Sequence, residues 1–354
     1  MDFGKRFAYE PQIRKYGPTP MPKLDDLDRR IAAVLQIDGR STWRQAARLA
    51  GTSESTVARR AQSMLDAGIM RVSGLADPIR CGFGHPVLLQ LSCEVGAASE
   101  VARRLAERVD VRFVALVTGT FDIVAELVVP SRVALGRVLL NELPEIEGIT
   151  RTTTESVLRN FKTSYDWSRD LLGDAGLTEV TFAPPVEGPA PSLDEADLLL
   201  LHLLVEDGRL TYAELAATLS VSESMARRRV EALVASGCLR FATFVEPHLL
   251  GYDVEVFIWM RVELARLEEI ATALAGRREV RYLSATSGFS DLTCEAILGS
   301  QDDLYAFSTG VLGVLPGVRE VDVGLELETV KRGYVRLDDY VPKNHNPKEE
   351  ERWQ

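Results

Sequence analysis

The sequence predicts an α+β protein of two tandem units, each a three-helix segment followed by a β-α-β-β-α-β segment. Three observations carry that reading. Adding 169 to a residue number between Leu24 and about Ser131 reaches a matching residue in the second half, so LDDLDRRIAAVLQIDGR (24–40) returns as LDEADLLLLHLLVEDGR (193–209) and SESTVARR (53–60) as SESMARRR (222–229). Within each copy the apolar spacing changes from helical to alternating beyond Pro78 and its counterpart Pro247. Between the copies, FAPPVEGPAPS (182–192) has the proline and glycine content of an extended linker. After Ser131 the register slips by three, since Leu143 and Pro144 align with Leu315 and Pro316, which places a small insertion near the unit's last helix.

The elements follow from local sequence. Residues 25–37 form an amphipathic helix with Leu27, Ile31, Val34 and Leu35 inward, and 194–206 repeat it with Leu200, Leu203 and Leu204. A second helix is expected over 42–50. Its opening, Thr42 with Gln45, and the copy, Thr211 with Glu214, fit a capping box in which hydroxyl and side chain satisfy free N–H groups reciprocally. A third helix starts after Ser53, a good N-cap, and runs to Ala67, where Gly68 supplies a left-handed cap. Three such helices, the last two joined by a tight turn, make a winged or plain three-helix helix-turn-helix. Strand VLLQLSCEV (87–95), a helix at 97–108, strands VRFVALVTG and FDIVAELVV meeting at 119–121, a helix near 132–142 and a strand from 146 follow in the order of a ferredoxin-like fold. The expected divisions are a tail (1–23), helix-turn-helix (24–72), connecting segment (73–86), βαββαβ domain (87–166) and linker (167–192). The second copy repeats them as 193–241, 242–253 and 254–340, with a tail at 341–354. Both tails lack apolar periodicity and are expected to be mobile.

At 354 residues, 46% hydrophobic and 26% charged, the chain is too long for one ordinary core. It contains no apolar run of membrane-spanning length and no signal-peptide core near its start, so a cytoplasmic location is expected. Cys81, Cys93, Cys238 and Cys294 stand apart, with four histidines and no Cys-x-x-Cys spacing. No metal or cofactor is therefore expected. A net charge of −11 argues against non-specific coating of nucleic acid, which depends on neutralising phosphates, so any DNA contact must use a locally basic face.

The third helix offers such a face. A helical wheel turns Val57, Ala61, Met64 and Leu65 inward and leaves Ser55, Thr56, Arg59, Gln62 and Ser63 outward, with Arg60 flanking. Arginine donates two bonds to guanine, glutamine reads adenine, and small hydroxyls bond phosphate without blocking approach. Thr42, Ser53, Ser55, Thr56, Arg59, Arg60 and Gln62, with Ser222, Ser224, Arg227, Arg228 and Arg229 in the second copy, are the expected DNA contacts.

The ordered pattern LDxxD…DGR…S-x-S…RR…DP, followed by a split βαβ carrying TG-x-x-D, occurs over 24–166 and again, with Glu-Pro for DP and SG-x-x-D for TG-x-x-D, over 193–339. It resembles the Lrp/AsnC, or feast/famine, family of transcription regulators. The resemblance implies a DNA-binding N-terminal domain and a C-terminal domain that oligomerises and senses amino acids or related metabolites. It also places effectors near TGTFD (118–122) and SGFSD (287–291), with Thr118, Gly119, Asp122, Ser287, Gly288 and Asp291 as candidate contacts. Gly119 and Gly288 permit tight turns with exposed N–H groups suited to a carboxylate, while each aspartate could cap its turn or meet an ammonium. A glycine and an aspartate bracketing a hairpin also suit any hairpin.

The copies are not equivalent. Residues 24–80 hold nine basic and seven acidic residues, a net of +2, whereas residues 193–249 hold five and nine, a net of −4. Met225 replaces Thr56 and Glu231 replaces Gln62. The first module is therefore expected to bind DNA more strongly. The expected partners are double-stranded DNA, an amino-acid-like effector and further copies of the chain, the two units pairing internally as a pseudo-dimer. One alternative is a metabolite-binding or assembly protein whose helix-turn-helix units no longer bind DNA. Another is an enzyme resembling sirohaem decarboxylases, disfavoured because His85, His202, His248 and His345 all lie outside 111–129 and 280–298. No enzymatic activity is expected.

Overall fold

The computed structural model describes residues 24–163, 165, 167–173 and 190–337. Both expected tails and most of the proline-rich linker lie outside these. The first helix-turn-helix comprises α1 (Asp26–Ile37), α2 (Trp43–Ala50) and α3 (Glu54–Asp66), close to the predicted bounds. The second comprises α6 (Glu195–Glu206), α7 (Tyr212–Leu219) and α8 (Glu223–Ala235). The capping boxes of α2 and α7 form as their sequences require: Gln45 N donates to Thr42 Oγ1 at 3.2 Å, and Thr42 N donates to Gln45 Oε1 at 3.0 Å. Ile31, Val34, Leu35, Val57, Ala61 and Met64 form one buried core, and Leu200, Leu204, Leu215, Val230 and Leu233 its copy.

The structure departs from the sequence reading in the segments called connectors. Residues 70–76 form β1 (Met70–Ala76) and 239–245 form β6 (Leu239–Val245), and the two pair antiparallel across the copies. Ser73 faces Ala242, its own counterpart, so the pseudo-twofold axis passes through this ribbon. Each strand has its partner in the other copy, which local sequence cannot reveal. The expected linker also starts too early. Trp167 meets Tyr252 edge-on at 5.3 Å, Leu172 is buried, and the Ser168 hydroxyl donates to Gln36, so residues 167–172 pack on α1.

The first βαββαβ domain runs β2 (His85–Cys93), α4 (Ala98–Glu107), β3 (Val111–Val117), β4 (Ile123–Val129), α5 (Arg132–Arg137) and β5 (Ile149–Thr163). The second runs β7 (Val254–Val262), α9 (Leu267–Ala275), β8 (Val280–Ser287), β9 (Leu292–Leu298), α10 (Gln301–Gly310) and β10 (Val318–Arg332), followed by a short β11 (Val335–Arg336). The predicted helix near 132–142 ends its α-helical part at Arg137 and continues as a wider turn over Val138–Glu142. The expected three-residue slip is absent: Ser131 and Ser300 cap the two helices, the short turns that follow open at Leu143 and Leu312, and Gly148 and Gly317 share a left-handed φ of 92° and 97°, so the 169-residue offset holds throughout.

The two domains make one closed barrel. Strands follow in the order β3-β4-β2-β5-β8-β9-β7-β10, every neighbouring pair antiparallel, and β10 returns to β3. β3, β4, β8 and β9 are buried on both faces, which explains their near-continuous apolar runs, whereas the long β5 and β10 are largely half-buried or exposed. One face packs on the outer helices through residues such as Leu105, Val114, Leu274 and Leu283. The other turns Phe113, Val117, Phe121, Phe257 and Trp259 into the space between the two sheets. Closure leaves β5 and β10 no free edge, and the pairing expected between copies takes place within one chain.

Candidate DNA-binding face and sensing loops

On α3 the Ser53 hydroxyl accepts from Thr56 N at 3.3 Å, and Val57, Ala61 and Met64 hold the inner face. Ser55, Arg59, Gln62 and Ser63 are exposed, with Thr56 partly so. The two neighbouring arginines do different things. Arg60 Nη1 meets Asp25 at 2.6 Å and Asp28 at 2.9 Å, and hydrogen bonding to Arg60, followed by that to Asp28 N, holds the Asp25 carboxyl down at about 2. The same aspartates build the capping box that opens α1. The LDxxD motif thus caps one helix and anchors another. Arg59 has no partner among the described residues.

The second copy repeats this arrangement with Arg229 on Asp194 (2.9 Å) and Asp197 (2.7 Å). Arg228 stands where Arg59 does, exposed, its guanidinium 3.1 Å from the Met225 sulfur. Arg227 is drawn to Glu231 at 2.8 Å. On α3 Gln62 is similarly turned to Asp66 at 2.8 Å. Thr42, Ser53 and Ser222 serve as helix caps, and Ser55 and Ser224 bond Ser53 and Ser222. The expected contacts therefore gather on two faces, with Arg59 and Arg228 the least committed arginines on each.

A feature missed in the sequence sets these two faces relative to one another. Arg40 donates to the Leu210 carbonyl at 2.6 Å and lies 5.0 Å over the Tyr212 ring, while Arg209 donates to the Gly39 carbonyl at 2.7 Å and lies 4.2 Å over Trp43. This reciprocal clasp joins the two DGR turns. Its glycines are required by space, since a Cβ on Gly208 would stand 2.9 Å from the Ser73 backbone and one on Gly39 2.7 Å from Val72. The signal was the repeated DGR, which composition alone scored as two more basic charges.

The two glycine loops also lie across the copies. Thr118 N donates to the Leu325 carbonyl at 2.8 Å and Leu325 N donates to Thr118 Oγ1 at 3.0 Å, so the first loop sits on β10. Ser156 N donates to Ser287 Oγ at 3.2 Å, which seats the second loop on β5. Gly119 and Gly288 take φ of 98° and 123°, and both are exposed. Each aspartate caps: Asp122 accepts from Cys93 N at 2.7 Å and Asp291 from Val262 N at 2.9 Å.

Behind the loops the copies diverge. Phe121 is buried against Trp259 (5.4 Å) and Phe289 (5.3 Å), and Gly324 leaves room for the indole, 3.2 Å from where a Cβ would stand. The pseudo-equivalent positions hold Ser290, Gln90 and Glu155. Glu155 is fully buried; it accepts from Gln90 Nε2 at 2.7 Å and from Ser290 N at 2.5 Å.

Buried charges inside the barrel were also missed. Arg112 meets Glu126 at 2.6 Å, and the equivalent pair Arg281–Glu295 is joined by Arg332, Glu255 and Glu326. The available signal was a charge inside each apolar strand run, as in VRFVALV and CEAIL.

Two recognition helices on one clasped frame above a closed ferredoxin-like barrel define a tandem helix-turn-helix protein with a ligand-binding module. The profile of the AsnC-type helix-turn-helix domain matches residues 24–65 and 193–234, and that of the Lrp/AsnC ligand binding domain matches 87–167 and 255–335. The chain belongs to the Lrp/AsnC family of transcription regulators. An uncharacterised HTH-type transcriptional regulator of Pyrococcus furiosus is 39% identical over 41% of this chain and 99% of its own length. The HTH-type transcriptional regulator FL11 of Pyrococcus abyssi is 30% identical over 40% of this chain and 93% of its own. Among solved structures, the siroheme decarboxylase NirDL shares the fold over 87% of this chain and 93% of its own, with a TM-score of 0.55 at 15% identity. No helix among the described residues is long and apolar enough to cross a membrane.

Proposed function

We propose that the chain is a cytoplasmic, sequence-specific regulator that binds double-stranded DNA through both recognition helices and senses an amino acid or related metabolite at its barrel loops. The observation that carries this is the placement of Arg59 and Arg228, exposed at equivalent positions of two helices fixed by one clasp. Such a pair suits half-sites about one DNA turn, roughly 34 Å, apart. The first module leads, because its net charge is +2 against −4 and because Glu231 neutralises Arg227 in the second. With both loop aspartates committed to backbone and Thr118 and Ser287 bonded to the facing strands, effector contact falls to the exposed turns at Gly119 and Gly288, which suit a carboxylate. The barrel is paired within the chain, and higher homo-oligomers build on it through outer surfaces. The experiment is a gel shift on sites selected from genomic DNA, with salt dependence. A protein whose helix-turn-helix units only pack would show no salt-dependent affinity.

A non-enzymatic role is part of this reading. The whole-length fold similarity to NirDL favours one second reading, a siroheme-handling enzyme. Against it, β3, β4, β8 and β9 carry no histidine, and His248 borders a cavity from the ribbon side rather than from a barrel strand. Visible absorption after mixing with a tetrapyrrole separates the readings: a shifted, saturable band supports the enzyme, and an unchanged spectrum the regulator.

A further inference from the structure

The barrel end that lies against the first helix-turn-helix carries one more carboxylate than its guanidiniums can balance. Oxygens of Glu255, Glu295 and Glu326 lie within 4.8 Å of one another. Arg281 meets Glu255 at 3.1 Å and also Glu295, while Arg332 meets Glu295 at 2.8 Å and Glu326 at 3.1 Å. Both cations are thus spent on three anions. The Glu326 side chain is 1% exposed, and its Oε2 has no hydrogen-bond partner. The fold does not require this excess. At the pseudo-equivalent positions of the first copy, Arg112 and Glu126 pair one to one, and Pro86, Val157 and Thr163 replace Glu255, Glu326 and Arg332.

The excess charge borders an open space. A cavity of about 270 Å³ lies between β6 with the turn after it and the strands β7, β8 and β10. Tyr165, Trp167 and Tyr252 form walls, and Glu255 and Glu326 line it. An uncompensated buried carboxylate is strongly disfavoured, so the group must take up a proton or a cation. Burial, then Glu295 and Glu255, pushes Glu326 up to about 8, whereas Arg281 and Arg332 overcome burial and hold Glu295 at about 2.

We propose that this cavity binds a small primary amine, its ammonium taking the place of the Glu326 proton between Glu326 Oε2 and Glu255. The charge selects the class. A monovalent cation brings three carboxylates and two guanidiniums to neutrality, whereas a divalent ion would leave a net positive charge beside two fixed arginines. The aromatic walls accept an alkyl chain or the face of a cation. The site is separate from the glycine loops and does not depend on them. Binding exchanges one ion for another: the protonated amine enters, Glu326 loses its proton to solvent, and charge is conserved. The other charged groups facing Glu326 are Glu255 on β7, Arg281 on β8, Glu295 on β9 and Arg332 on β10, while Arg71, Glu246 and His248 border the same cavity from the ribbon side and Asp253 and Glu328 border it beside β7 and on β10.

The test is calorimetric titration of the full chain with n-butylamine at pH 7.0 and 8.5, in two non-amine buffers of different ionisation enthalpy. The expected result is saturable binding several-fold tighter at pH 8.5, as the proton held by Glu326 above the usual carboxylate range is released. The buffer dependence should report nearly one proton released at pH 7.0. Glu326→Gln keeps the Arg332 contact and folds, as its thermal melt will show, but loses amine binding; Glu255→Gln weakens it. n-Butanol and magnesium chloride should give no saturable binding. Any of three outcomes overturns the proposal: no saturable amine binding to the wild type, unchanged binding by a folded Glu326→Gln, or magnesium binding that Glu326→Gln abolishes.

Discussion

The loops at 118–122 and 287–291 share a backbone and differ in what they bury. Both use a glycine at positive φ and an aspartate that caps a backbone N–H of the domain's first strand. Behind the first stand Phe121, Trp259 and Gly324; behind the second, Ser290, Gln90 and Glu155. The parts that hold the copies together, the Arg40–Arg209 clasp and the helix anchors Arg60 and Arg229, have stayed matched. The faces proposed to meet a ligand or DNA, and the barrel interior, have not. A duplicated chain must keep its pairing surfaces matched, while its two copies of any other face are free to diverge.

Equivalent substitutions can break this comparison. Trp259→Ala should cost about 3–5 kcal/mol, since it empties a fully buried aromatic site. Its counterpart Gln90→Ala should cost about 1–3 kcal/mol by leaving Glu155 short of a donor. Guanidinium unfolding of both variants checks the order, and equal losses would mean the two sites are not chemically distinct. Next come the clasp variants, Arg40→Ala and Arg209→Ala. Each removes a charged hydrogen bond and a ring contact worth about 2 kcal/mol together, and each should weaken DNA binding while leaving both modules folded, as read by far-UV circular dichroism. A clasp variant that binds DNA as the wild type does would show that the helices need no fixed spacing.

The smallest effect concerns Arg60. Because the folded-state value of Asp25 is depressed to about 2, its contribution to stability is present above the ordinary carboxylate range and is lost as the pH falls toward 2. Arg60→Ala should therefore lower stability slightly at neutral pH and flatten the acid limb, a small loss because the pair is exposed and screened by solvent. Acid titration of the two proteins by circular dichroism measures the difference. An acid limb identical to that of the wild type would remove Arg60 from its anchoring role.

Most of the architecture was legible locally. The capping residues Thr42, Ser53 and Gly68, the apolar spacing of α1 and the alternation in β3 and β4 each depend on neighbours within one turn or one hairpin. What escaped was long-range. Val72 faces Thr243, Arg40 meets Leu210, and β5 pairs with β8, all across copies at least 119 residues apart in sequence. Among the expected DNA contacts, sequence could place Arg59 and Arg60 on one helix but not divide their work. That division depends on Asp25 and Asp28, some 30 residues earlier.

The central claim is that one chain presents two unequal DNA-reading helices on a fixed frame. Quantitative gel shifts with Arg59→Ala and Arg228→Ala, on the same selected site and at one salt concentration, test it most directly. Loss of a base-reading arginine costs about 1–3 kcal/mol, so Arg59→Ala should weaken binding by roughly fivefold to a hundredfold, and Arg228→Ala by distinctly less. Equal losses would contradict the ranking of the two modules, and no loss in either would contradict DNA reading by this face.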